Sequence, residues 1–233
     1  MNDLIIRAAR FRDDVFPARR ALYENLANHG QAPKALMISC ADSRVVPEFI
    51  TQCEEGELFV TRNAGNIVPP YATQLGGVSA VIEYAVVALA VRDIVICGHS
   101  GCGAMRALLT GHGLTEMPNV AAWLRHSHAA QCVVHATYPE TLDTPEAMRA
   151  MELENVVAQL NNLRTHPSIA AALARGAVTL HGWYFDVQNG HVWALDGESG
   201  NFIPLSDEQL TPIAAKGRIA VGPGRTCVSV AAE

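Results

Sequence analysis

The sequence predicts an α/β fold: a mainly parallel central sheet flanked by helices, preceded by an N-terminal helical arm, with room for an antiparallel C-terminal edge. Three observations carry this. Short, almost wholly apolar runs recur at 35–40, 58–61 and 93–98, as expected of strands covered on both faces. Stretches with helical spacing of apolar residues alternate with them, the pattern of a parallel sheet. Near the end, Asn189-Gly190 between two strand-like stretches signals a hairpin.

Each element follows from its residues. Residues 3–29 read as a helix in which Leu4, Ile5, Ala8, Phe11 and Val15 form a rough stripe, bent near Pro17, whose ring removes a backbone donor. Ala35-Leu-Met-Ile-Ser-Cys40 follows Pro33 as a buried strand. Leu58-Phe-Val-Thr61 is a second strand, and Arg62-Asn-Ala-Gly-Asn66 is a turn-rich loop. Residues 74–91 suit a buried helix, although Val and Ile lower its propensity. Asp93-Ile-Val-Ile-Cys-Gly98 is a third strand, followed by a glycine-punctuated loop and a helix over 104–109. Residues 119–135 and 145–163 are predicted helices, and 177–187 and 191–195 predicted strands. No internal repeat or low-complexity tract divides the chain, so 1–233 reads as one domain.

Composition narrows the function. With 49% hydrophobic and 17% charged residues, wholesale disorder is excluded. A net charge of −6 without a basic stripe argues against nucleic acid as a partner. The most apolar region is divided at Glu83, and neither half approaches the ~20 residues of a membrane span. Asp3, Arg7 and Arg10 occupy the N-terminus, which lacks the apolar run of roughly 7–15 residues of a secretion signal. A compact soluble protein in the cytoplasm is the expectation. In that reducing compartment Cys40, Cys53, Cys97, Cys102, Cys132 and Cys227 read as core thiols, metal ligands or nucleophiles rather than disulfides.

Ligands of such sheets gather beyond the carboxyl ends of the strands, which directs attention to two loops. Cys40-Ala-Asp42-Ser-Arg44 leaves the first strand, and His99-Ser-Gly-Cys102-Gly103 leaves the third. Together they hold two thiols, an imidazole, a carboxylate and a guanidinium. Two cysteines and a histidine are a catalytic zinc set with a fourth position open; Asp42 would be the nearby candidate to close it, unless Arg44 holds it away. Spacing alone leaves Cys97 an equally good thiol.

These segments resemble the β-class carbonic anhydrases, which carry a Cys-x-Asp-x-Arg segment and a later His-x-x-Cys segment. The similarity extends through Arg62–Asn66, Glu83-Tyr84, Gly98–Gly103 and His181-Gly-Trp183, over roughly residues 1–205, and lies nearest the plant-like branch with bacterial members associated with cyanate metabolism. The resemblance implies one zinc ion per chain on Cys40, His99 and Cys102. It makes Asp42 and Arg44 a dyad that orients zinc-bound water or hydroxide for reversible hydration of carbon dioxide to bicarbonate. Gln31, Phe59, Ala64, Tyr84 and the Gly103 backbone fall where the family lines its substrate pocket. Gln31 and Tyr84 would meet across a dimer interface, so the resemblance implies a homodimer or higher even-numbered oligomer, inactive as a monomer, with residues 1–30 as its dimer-forming arm. Two departures matter. Met37 stands where autoinhibited members carry a tryptophan three residues before the first cysteine, which favours the open-site subtype. Ala88 stands where some plant members place a histidine four residues after the pocket tyrosine, so no proton-shuttle residue carries over.

Other readings compete. The same zinc site could hydrolyse carbonyl sulfide or carbon disulfide, or Asp42 could close it into a non-catalytic, zinc-bound interaction protein. A thiol phosphatase loop would need arginine where Val46 stands. Gly98, Gly101 and Gly103 match neither phosphate-binding glycine pattern. His128, Cys132 and His135 share one helix face at i, i+4 and i+7, a rival metal set for which a partly solvated face is the simpler reading.

Overall fold

The structure is a computed structural model that describes residues 2–72, 76–138 and 142–205; Cys227 and the start of the predicted helix 74–91 lie outside the described residues. The arm is α1 (Asn2–Arg10) and α2 (Phe16–His29), joined by a wide π-helical turn over Phe11–Val15. Pro17 follows just after this π-helical turn. It sits in the first turn of α2, where its missing N–H costs nothing. Gly30, at φ 80°, turns the chain into β1 (Ala35–Cys40). Then follow α3 (Pro47–Thr51), β2 (Leu58–Asn63) and α4 (Gly77–Glu83), which widens into π-helical geometry over Tyr84–Ala88. β3 (Asp93–His99) leads to α5 (Gly103–Thr110), α6 (Pro118–Leu124) and α7 (His128–Thr137). α8 (Pro145–Leu163), α9 (Pro167–Ala174), β4 (Thr179–Phe185), β5 (Val192–Leu195) and β6 (Phe202–Pro204) complete the order.

The expected α/β architecture is present. One sheet runs β2-β1-β3-β4-β5-β6, its first four strands parallel and its last two antiparallel. The main core lies between the sheet and α4, α8 and α9, with Leu36, Ile38, Ile94, Ile96, Leu153 and Val156 fully buried. The other sheet face carries a smaller cluster of Met37, Val95 and Cys97.

Where the sequence predicts one helix over 119–135, the chain breaks into α6 and α7 around a tight turn at Arg125–Ser127. Tertiary partners take over there: Gln159 and Asn162 donate to the His126 carbonyl, and the Ser127 hydroxyl donates to Asn155 at 2.7 Å. α8 is buried along most of its length, amides and carboxylates included. It lies so close to the sheet that a Cβ on Gly98 would come 2.7 Å from Val156 Cγ2. No helix among the described residues is long and apolar enough to cross a membrane.

Candidate metal centre

Cys40 ends β1 and His99 ends β3, adjacent parallel strands paired through Ser39 and Cys97, so both side chains emerge at the carboxyl edge of the sheet. The chain then turns sharply through Gly101, at φ 67°, and brings Cys102 to the residue before α5. Two sulfurs and one ring nitrogen from three places in the sequence thereby lie within 4.8 Å of one another. All three residues are buried, exposing 5%, 1% and 1%.

Hydrogen bonding fixes what His99 offers. Its Nδ1 lies 3.0 Å from the Ser100 carbonyl, an acceptor only, so Nδ1 carries the proton and Nε2 presents a lone pair. That Nε2 is buried without a hydrogen-bond partner. A buried acceptor left so costs about 1–3 kcal/mol, and beside two sulfurs it fits a cation. The sulfurs agree. Cys102 foremost, with the backbone N–H groups of Gly65 and Asp42, pulls the Cys40 thiol down to about 4 against burial, while the same contact with Cys40 and burial push Cys102 up. A cation bound between them would take both as thiolates and release their protons. Burial opposes charge on His99, but the Cys40 sulfur, the Ser100 carbonyl and Asp42 outweigh it and raise its pKa.

Beside this cluster Arg44 grips Asp42 with Nε on Oδ1 at 2.9 Å and Nη2 on Oδ2 at 2.8 Å, and its backbone N–H adds a third bond to Oδ1 at 3.0 Å. Arg44 Nη2 also donates to the Gly101 carbonyl at 3.1 Å, which ties the two loops together. The guanidinium holds the Asp42 carboxyl well below the usual carboxylate range. Asp42 Oδ2 stands 4.0 Å from His99 Nε2.

Several supports escape a reading of the sequence. Glu152 on α8, 3% exposed, accepts from the Cys102 N–H and the Tyr184 hydroxyl, both at 2.9 Å, and burial raises its pKa. Arg62 donates to the carbonyls of Cys40 and Asp42 at 3.0 and 2.6 Å. Asn155 donates to the Gly65 carbonyl and Trp123 to that of Ala64, each at 2.9 Å, fixing the loop whose Gly65 N–H reaches Cys40 Sγ at 3.4 Å. Only a glutamate inside an otherwise buried helix could have signalled the first of these.

The remaining expected site residues separate into groups. Ala64 lies next to the Cys40 support, and Gly103 opens α5 directly after Cys102. Phe59 and Tyr84 pack together with ring centroids 5.9 Å apart. Tyr84 is 51% exposed and lines a cavity of about 340 Å³ with Tyr71, Glu83 and His166, while Gln31 is exposed on the loop before β1 and does not line that cavity. Cys97 is excluded from the metal cluster: it packs with Met37 and Val95, and burial foremost pushes its thiol up to about 12. Of the rival set, His128 and Cys132 meet, but His135 does not join them in a three-residue cluster.

Three protein donors at the carboxyl edge of a parallel sheet, with a carboxylate held aside by its own arginine, are the donor set of an open metal site rather than a closed structural one. Comparison with known proteins gives the family. Residues 35–192 match the family model described as carbonic anhydrase, and the chain belongs to the β-class carbonic anhydrases. It is 52% identical over 211 residues to a carbonic anhydrase of Pseudomonas aeruginosa, covering 89% of this chain and 93% of that one. Its fold matches the solved β-carbonic anhydrase CcaA with a TM-score of 0.86 and 42% identity, over 92% of this chain and 95% of the other. A second match is to the tetrameric β-carbonic anhydrases of Sordaria macrospora, at TM-score 0.65 and 30% identity, over 83% and 93% of the two chains. The activity is the reversible hydration of carbon dioxide, and the enzyme is a zinc-dependent lyase.

Proposed function

We propose that Cys40, His99 and Cys102 hold one zinc ion per chain and that Asp42 and Arg44 do the orienting chemistry beside it. The observation that carries this is the unpartnered lone pair of buried His99 Nε2 among two sulfurs. When bound, zinc supplies the Lewis acidity that makes water a nucleophile at neutral pH. Asp42, kept ionised by Arg44, can only accept hydrogen bonds. It would therefore accept a hydrogen bond from the attacking water or hydroxide, leaving a lone pair facing the carbon of the substrate. A carboxylate held so acidic does not take up the proton itself, and each turnover must lose that proton to solvent. Phe59, Ala64 and Tyr84 give a small uncharged molecule an apolar wall, while Gln31 and the Gly103 backbone can donate to a developing bicarbonate oxygen.

Gln31 and Tyr84 are both exposed on the single chain, which supports a pocket completed in a homodimer or higher even-numbered oligomer. The location proposed is the cytoplasm. We place the chain in the plant-like branch, with the bacterial members associated with cyanate metabolism, on its similarity through Arg62–Asn66, Glu83-Tyr84, Gly98–Gly103 and His181-Gly-Trp183; buried Met37, where autoinhibited members carry a tryptophan, favours an open site. A non-catalytic site closed by Asp42 is disfavoured because both carboxylate oxygens are engaged by Arg44. Hydrolysis of carbonyl sulfide or carbon disulfide has no residue in its favour. Cys102→Ser tests the centre: zinc content and stopped-flow hydration should fall together, and full zinc occupancy in that variant would refute the ligand set.

A further inference from the structure

Away from the Cys40 centre, α7 brings a second thiol and imidazole together. Cys132 Sγ lies 3.5 Å from His128 Nε2, and both residues are exposed. A run of hydrogen bonds decides which ring nitrogen faces the sulfur. Gln131 Nε2 donates to the Leu108 carbonyl at 2.7 Å, which turns the amide so that Gln131 Oε1 faces His128 Nδ1 at 3.2 Å. That oxygen only accepts, so Nδ1 carries the proton and Nε2 offers its lone pair to Cys132. The spacing has the dimensions of a chelate: a Zn–S bond of about 2.3 Å and a Zn–N bond of about 2.05 Å, opened to the tetrahedral angle, separate sulfur and nitrogen by about 3.6 Å. A metal-binding histidine whose other nitrogen donates to a fixed acceptor is the usual arrangement around such ions.

We propose that His128 Nε2 and Cys132 Sγ form a second metal site for a thiophilic divalent cation, Zn²⁺ or Cd²⁺, with Gln131 as its positioning residue. The cation replaces the Cys132 thiol proton, which leaves to solvent. Two exposed donors make this a weaker, more exchangeable site than the buried three-donor centre.

The test is a Cd²⁺ titration of the zinc-loaded full chain, following thiolate-to-metal absorption in the ultraviolet and counting total metal per chain by native mass spectrometry. The parent should take a second equivalent. Cys132→Ser and His128→Ala should each lose it, Gln131→Ala should weaken it about 10-fold or more, and Cys53→Ser should leave it unchanged. Cys102→Ser should keep it, so failure of the first centre and failure of this one are distinguishable. A parent that holds only one metal ion, or a second equivalent that persists in Cys132→Ser or His128→Ala, overturns the site.

Discussion

Asp42 has two oxygens and three hydrogen bonds from Arg44, and this commits it. The cost of pulling it onto a cation is the loss of a bidentate, charge-assisted pair, among the strongest contacts a carboxylate makes. This favours the proposed role, orientation of water, over ligation, and the two roles separate in one variant. Asp42→Asn is nearly isosteric but presents an amide donor as well as an acceptor. It should keep zinc at the parent level while kcat falls about 10²–10³-fold, the range of a lost preorganised hydrogen-bonding group. Zinc analysis and stopped-flow hydration on the same preparation check this; parent-like turnover would remove Asp42 from the mechanism. Cys40, Asp42, Arg44, His99 and Cys102 were legible in the sequence because their types and spacing carry a family pattern. Glu152 was not, since its partner is the backbone N–H of Cys102, 50 positions away, and a backbone group leaves no trace in composition.

Among the elements, α8 does most to set the site. It fixes Cys102 through Glu152, the 64–69 loop through Asn155 and Gln159, and the break between α6 and α7 through Gln159 and Asn162. This explains which elements could be read in advance. β1, β3 and α8 announce themselves by apolar content and length. The turn at 125–127 does not, because the sequence there keeps helical spacing and only the amides of α8 overrule it. Likewise α3, α9 and β6 are short, and tertiary contact rather than periodicity decides them. The closeness of α8 to the sheet is itself testable. Gly98→Ala would drive a methyl group to 2.7 Å from Val156 Cγ2, an overpacking that should cost about 1–3 kcal/mol. Adding Val156→Ala removes the clashing methyl, so the double variant should be more stable than the two separate costs predict. Urea unfolding of the cycle gives the coupling, and strict additivity would show that α8 shifts freely.

For the whole molecule, the arm is the feature that one chain does not explain. No side chain of α2 or of the π-helical turn is buried, and Leu4, Ile5 and Ile6 of α1 are 68%, 62% and 50% exposed. Phe11, Phe16 and Tyr23 stack on one another rather than into the core. The arm is held to its own chain mainly by Arg19 on Glu54 and Glu55 and by Leu26 over Gly56, and exposed ion pairs of that kind contribute at most about 1 kcal/mol. An apolar stretch so weakly held fits the proposed oligomer, in which a second copy of the chain would cover it, since contiguous exposed apolar surface marks an interaction site. Removing residues 2–29 should then leave each chain's core and Cys40 centre folded but dissociate the assembly. Analytical ultracentrifugation should find monomers with zinc retained, and hydration should be lost because Gln31 and Tyr84 of different copies no longer meet. Raising the protein concentration should not restore it, whereas in the parent any loss on extreme dilution should reverse on concentration. A truncated monomer with parent-like turnover would mean that each chain closes its own substrate pocket, and the arm would then need another explanation.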